Sequence, residues 1–222
     1  MSSDAPEFPW MFYRDEIDLA GDTIDDLYEQ FFVKEKEGCF EYLVLHEHMQ
    51  TEALSDERLS ALMGMQVFLH GSSTKQKLTQ QWNTQEQFPH DAEQDPRLHP
   101  LYQQAKAWSE MVSPFAKRLY EQGGRSIEHL FRVYLYSLCI PMKIFMGVDE
   151  EIQEDPSGPK IALEEFDLAI TYLRRVLESL THIPFHVDEF DWLHLCRSGA
   201  HELISHLSQT IESLQGRGSR LV

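Results

Sequence analysis

Apolar residues recur every three or four positions along most of this chain, which is the spacing of one face of an α-helix. No segment alternates apolar and polar residues with the period of two that a half-buried strand shows. The helical spacing is clearest in two stretches near the C-terminus: Leu163, Phe166, Ile170, Leu173, Leu177 and Leu180, then Ala200, Ile204, Leu207, Ile211 and Leu214. Only a short connection over 182–187 separates them, so we predict a C-terminal antiparallel helical hairpin over 160–215.

The segment 126–147 is apolar around most of its circumference. Its apolar side chains fall on two adjacent faces, namely Ile127, Phe131, Tyr134, Leu138 and Phe145 on one and Leu130, Val133, Ile140 and Ile144 on the other. A helix of this kind lies in the middle of a bundle, with neighbours on several sides. The charged and imidazole side chains within it are Glu128, His129, Arg132 and Lys143. These are too many for a membrane span, so we predict a central buried helix over 126–147.

Capping residues and turn formers predict where helices begin and end. Asp22, with Asp25 three residues later, is a predicted N-cap of the first helix, and Ser55 is a predicted N-cap of the third. Gly147 stands where the central helix would stop, and Pro141 would kink its last turns.

The pattern as a whole predicts an all-α fold, a single-domain helical bundle of about seven helices. We expect an N-terminal arm at 1–11, one all-α domain over 12–216 and a C-terminal tail at 217–222. The chain has 222 residues, of which 42% are hydrophobic, and this is enough for one large core.

Acidic side chains outnumber basic ones by 37 to 19, which gives a formal net charge of −18. This charge repels the phosphates of nucleic acids and the anionic surface of membranes, so we expect neither as a direct partner. Residues 1–60 alone hold 16 acidic and 4 basic side chains. The candidate partner-binding residues in this region are Asp22, Asp25, Asp26 and Glu29.

The charge asymmetry favours a protein-binding role. An acidic surface of this kind would dock a protein partner with a basic surface, whereas the alternative interpretation is an ordinary solvated helix face. We therefore predict an acidic helical binding factor, namely an adaptor, assembly chaperone, inhibitor or complex subunit, and leave open whether the protein is also an enzyme. A homo-oligomer is compatible with this prediction.

The cysteines and the N-terminus predict a cytoplasmic protein. Cys39, Cys139 and Cys196 are an odd number, and each lies in an apolar helical pattern, as buried thiols do in a reducing compartment. The N-terminus is acidic and contains prolines, unlike a secretory signal peptide.

Carboxylates and histidines at helical spacing suggest a second class of function. Glu41, His48 and Glu52 share a stripe, and Asp191 precedes His194 by three residues. If these side chains converged inside the bundle, they could hold iron or manganese. The alternative interpretation is that the imidazoles are hydrogen-bonded or solvated along helix edges, because Leu45 and Leu193 occupy the same stripes.

Two of these motifs resemble elements of the haem-oxygenase-like di-iron oxidases. Glu41 and His48 resemble that family's Glu-x6-His element, and the stretch from His186 to His194 is similar to its His-x3-Asp-x2-His element, with one additional residue before Asp191. The resemblance implies a non-haem iron or manganese oxidase or oxygenase with a haem-oxygenase-like helical bundle. We expect no cofactor and keep this enzyme as the alternative prediction.

Overall fold

A computed structural model describes residues 15–33, 39–63, 95–123, 127–153, 157–183 and 190–218. Within these ranges the protein has six α-helices and no strand, which confirms the predicted all-α helical bundle. The helices are α1 (Glu16–Tyr28), α2 (Phe40–Leu62), α3 (Pro100–Glu121), α4 (Ile127–Ile152), α5 (Gly158–His182) and α6 (Phe190–Gly218). A π-helical turn, Glu29–Val33, continues α1, and a 3-10 turn, Pro96–Leu98, precedes α3. The predicted arm at 1–11 and residues 219–222 of the predicted tail lie outside the described residues.

Three predicted helix boundaries differ from the structure, one of them being Gly147, through which α4 continues to Ile152. The cap of α1 is Asp15, whose side chain accepts hydrogen bonds from the backbone N–H groups of Ile17 and Asp18, so Asp22 lies inside the helix. Ser55 likewise lies inside a continuous α2, where its hydroxyl donates to Glu164 at 2.9 Å instead of capping a new helix. The described chain therefore has one long helix where the sequence predicted two.

Helix α4 occupies the centre of the bundle, as predicted. It packs most extensively on α5 and α3, and also contacts α1 and α2. Its fully buried apolar side chains are Phe131, Val133, Leu135, Tyr136, Ile140 and Ile144. Helices α5 and α6 pack against each other as the predicted hairpin, and α6 also contacts α3. The buried apolar side chains of the described helices form one continuous core cluster.

Glycines allow close helix contacts at two places in this core. A Cβ atom on Gly147 would lie 2.4 Å from the Phe166 ring, so α4 continues through this glycine and brings its backbone against α5. A Cβ atom on Gly199 would lie 2.5 Å from Trp108 on α3. The Trp108 indole also donates a 3.0 Å hydrogen bond to the Cys196 carbonyl, which joins α3 to α6.

A buried serine compensates for the proline inside α4. Pro141 has no N–H to donate to the carbonyl of Ser137 four residues earlier. The hydroxyl of Ser109 on α3 donates to that carbonyl at 2.6 Å, and both serines are buried. A polar bond between neighbouring helices therefore replaces one that the proline removes.

The segment Glu128–Ile152 is long and apolar enough to span a membrane, by length and composition alone. Its most apolar window has a mean hydropathy of 1.3, and 61% of that window is buried inside the fold. The core helix of a bundle meets the same criterion, so this property of α4 carries no conclusion about a membrane.

Candidate functional site

The outer face of α1 is acidic. Asp22, Asp25, Asp26 and Glu29, the predicted partner-binding residues, are all exposed, and the chain has no lysine or arginine between Glu16 and Val33. We call these four residues the acidic face.

Two other carboxylates at the start of α1 attach it to the rest of the fold. Asp15 pairs with Arg97 at 2.6 Å, and Glu16 pairs with Lys106 of α3 at 2.7 Å. The hydrogen bond from Lys106 holds the pKa of Glu16 below its ordinary value. Arg97 and Lys106 therefore neutralise carboxylates at the beginning of α1, next to the acidic face.

A groove of about 280 Å³ lies between α1, α3 and α4. Its apolar lining includes Leu19 and Ala20 of α1, together with Leu138, Pro141 and Met142 of α4. Its charged lining residues are Glu16, Lys106 and Glu110. The groove thus combines an apolar wall with carboxylates contributed by two helices.

Inside the bundle, a cluster of polar side chains surrounds His48 of α2, which is only 8% exposed. The Tyr28 hydroxyl lies 2.6 Å from its Nδ1 atom. Its Nε2 atom lies 3.5 Å from Glu52 Oε1 and 3.6 Å from the thiol sulfur of Cys139. Burial raises the pKa of both Tyr28 and Cys139, so the two groups are protonated at neutral pH.

Glu52 links this histidine to α4 and α5. It accepts a hydrogen bond from the Tyr172 hydroxyl and pairs with Lys143 Nζ at 2.7 Å, and Lys143 in turn lies 3.1 Å from Glu165. Burial would raise the pKa of Glu52, but contacts with His48, Lys143 and Tyr172 outweigh it and lower the pKa to about 2. Burial raises the pKa of Glu165 despite the nearby ammonium, whereas both carboxylates keep the pKa of Lys143 above its ordinary value.

A further set of ion pairs surrounds Glu47, one turn earlier on α2. Its two oxygens lie 3.1 Å from Arg132 of α4 and 3.2 Å from Arg175 of α5. Arg175 also donates to the hydroxyls of Tyr136 and Thr51, each at 2.8 Å. Together with the contacts of His48 and Glu52, these pairs form what we call the polar seam between α2 and the α4–α5 pair.

The order of contacts in the polar seam shows the direction of α2 relative to α4 and to α5. Going forward along α2, Glu47 and Glu52 meet Arg132 and then Lys143, so α2 and α4 run in the same direction. Against α5 the order is reversed, because the partners of Glu47, Glu52 and Ser55 on that helix are residues 175, 172 and 164.

The predicted metal ligands have different surroundings. His48 and Glu52 lie side by side, whereas Glu41 accepts a 2.9 Å hydrogen bond from Tyr120. Asp191 and His194 are exposed at the start of α6, and His186 lies outside the described residues. Within the described ranges, no three His, Cys, Asp or Glu side chains are arranged to hold a metal ion. The iron or manganese site stays a prediction.

Sequence reasoning missed most members of the polar seam. One signal was available in Lys143, a cation within the most apolar helix of the chain, since such a residue is rarely buried without a partner. Another was the heptad spacing of Glu165 and Tyr172, which places them on one stripe of α5 beside its apolar face. No local signal paired these residues with His48 or Glu52, more than 90 positions away along the chain.

The polar seam and the groove are separate features. A chain of tyrosine, histidine and carboxylate can relay a proton, and the Tyr28–His48–Glu52–Tyr172 series has this composition. The groove is lined by a different face of α4, which includes Leu138. The polar seam therefore joins helices inside the bundle, whereas the acidic face and the groove lie on its surface.

Comparison with protein-family models, with curated proteins and with solved structures found no match for this chain.

Proposed function

We propose that this protein is a cytoplasmic, acidic helical binding factor that engages the basic surface of a protein partner through the acidic face of α1. It would act as an adaptor, assembly chaperone, inhibitor or complex subunit. One observation carries the proposal. Between Glu16 and Val33 the chain has six acidic side chains and no lysine or arginine, and the four residues of the acidic face are exposed together.

Electrostatics explains why such a face favours a basic partner. Like charges within one or two helical turns repel one another, and this repulsion decreases when cations from a partner approach. Charge complementarity of this kind increases the rate of association and selects among partners. The three free cysteines, Cys39, Cys139 and Cys196, support a reducing compartment such as the cytoplasm.

The test is binding of a fluorescent lysine-rich peptide, measured by anisotropy as salt is raised. We expect the variant D22N/D25N/D26N/E29Q to bind several-fold more weakly than wild type at low salt, and the difference to shrink as salt screens the charges. The matched control, E121Q/E178Q/E202Q/E212Q, removes four exposed acids elsewhere in the described helices and should retain binding. Equal losses in both variants would show that only net charge matters, and would refute the proposal.

The alternative function is metal-dependent oxidation by iron or manganese. Its support is the buried His48–Glu52 pair, whose residue types suit such metals. Against it, both oxygens of Glu52 already have partners in Tyr172 and Lys143. Elemental analysis of the purified protein separates the two functions. Stoichiometric iron or manganese that disappears in a His48→Ala variant would establish the metal site and favour the enzyme.

A further inference from the structure

The groove beside α1 is small for a ligand pocket. Its volume of about 280 Å³ is just below the roughly 300–1,000 Å³ of small-molecule pockets. Its wall includes Ala20, Leu138, Pro141 and Met142, each of which is partly exposed. An opening of this size with an apolar wall suits one bulky apolar side chain supplied from outside.

Leu19 connects this groove to the acidic face. It lines the groove and is 54% exposed. Side chains at positions i, i+3 and i+7 share one face of a helix, so Asp22 and Asp26 follow Leu19 along the same stripe. On α3, the exposed Glu110 also lines the groove. The apolar opening therefore has carboxylates on both α1 and α3, and Lys106, which also lines it, is paired with Glu16.

We infer that the groove holds an apolar anchor side chain from a basic, amphipathic segment of the partner protein. Lysine and arginine side chains flanking this anchor pair with Asp22 and Asp26, while the anchor packs against Leu19, Leu138 and Met142. The inference rests on the proposed function and adds the chemistry of the segment that binds.

Charge complementarity selects this occupant over others. A neutral or acidic segment would bury the apolar wall but bring no cations to the exposed carboxylates of Asp26 and Glu110 beside it. A second copy of this chain would add its own net charge of −18 to the same face. A basic segment with one apolar anchor satisfies both the wall and its charged surroundings.

The experiment compares two lysine-rich peptides of equal charge, one with a leucine anchor and one with serine in its place. Wild-type protein should bind the leucine peptide about 10–100-fold more tightly, because one leucine side chain leaves water. Ala20→Phe should fill the groove and abolish this difference, with the affinity for the serine peptide unchanged. Leu19→Asn changes an exposed residue and should reduce the difference several-fold without affecting folding, which circular dichroism verifies for both variants.

Different failures of this experiment have different meanings. If wild type binds both peptides equally, and both lose affinity in D22N/D25N/D26N/E29Q, the anchor is refuted while the proposed function stands. If neither peptide binds at low salt, both proposals fail. If Ala20→Phe instead converts a dimer to a monomer in analytical ultracentrifugation, the groove is an interface between copies and the inference is overturned.

Discussion

Replacement of Ser109 by alanine tests how the bundle accommodates the proline in its central helix. The Ser109 hydroxyl donates to the buried Ser137 carbonyl, whose regular helical donor is absent because residue 141 is proline. The variant leaves this carbonyl unsatisfied, so we expect the free energy of unfolding to fall by about 1–3 kcal/mol. At about 2–4 °C per kcal/mol for a domain of this size, a loss near 2 kcal/mol lowers the melting temperature by roughly 4–8 °C.

A double-mutant cycle isolates the compensation from other effects of the substitution. Pro141→Ala restores an N–H group that can donate to the Ser137 carbonyl. In that background Ser109→Ala should cost only about 0.5–1 kcal/mol, because the carbonyl keeps one donor. The measurement is urea denaturation followed by circular dichroism. An equal cost of Ser109→Ala in both backgrounds would refute the reasoning.

Ser179 provides the matched control for this serine-to-alanine change. Its hydroxyl is also fully buried, but it has no hydrogen-bond partner among the described residues. Ser179→Ala removes an unsatisfied polar group and should leave stability unchanged or increase it slightly. The same chemical change at two buried sites is therefore expected to have effects of different size and sign.

Two further predictions concern stability. Gly147→Ala should cost about 1–3 kcal/mol, because its Cβ would lie 2.4 Å from Phe166. Gly216→Ala should stabilise α6 by up to about 1 kcal/mol, because beyond its own helix backbone no described atom lies within 4 Å of its Cβ. Equal effects of the two substitutions in urea denaturation would contradict the close contact at Gly147. The second prediction concerns pH: the pKa of Glu52 is about 2 in the folded protein, below its ordinary value of 4.5. Its charged form therefore contributes stability above pH 4.5 that is lost as the pH falls towards 2. Glu52→Gln should flatten stability against pH in this window, and an unchanged slope would contradict the assigned pKa.

The helices and the central position of α4 could be predicted because they depend on periodic burial, which is a local property of the sequence. The apolar repeat from Ala200 to Leu214 lies on the buried face of α6, and the apolar residues predicted around α4, such as Phe131, are buried in the core. Helix ends were predicted less well. Asp15 and Asp22 each precede an aspartate by three residues, so both match a capping box, and only tertiary contacts such as Asp15–Arg97 distinguish them.

Gly147 shows a second limit of local reasoning. A glycine late in a helix pattern predicts a stop, but here it permits close packing against Phe166 and the helix continues to Ile152. The polar seam shows the same limit at longer range, since the partners of Glu47 and Glu52 lie on other helices. Of the predicted site residues, the acidic face could be identified as exposed from the sequence because charge clustering is local.

The polar seam has a consequence for the alignment of α2 with its neighbours. Apolar helix contacts tolerate a slip by one turn, about 5.4 Å, because one leucine can replace another. Along α2 each contact is chemically distinct: Glu47 faces two arginines, His48 faces a thiol, and Glu52 faces a lysine. A slip would separate these partly buried charges from their partners, at a cost for each pair below the roughly 3–5 kcal/mol of a fully buried one. The polar seam therefore favours one alignment of α2 over alignments that are shifted by one helical turn. The position of α2 along its neighbours thus depends on which charged and polar side chains pair, as well as on the burial of apolar ones.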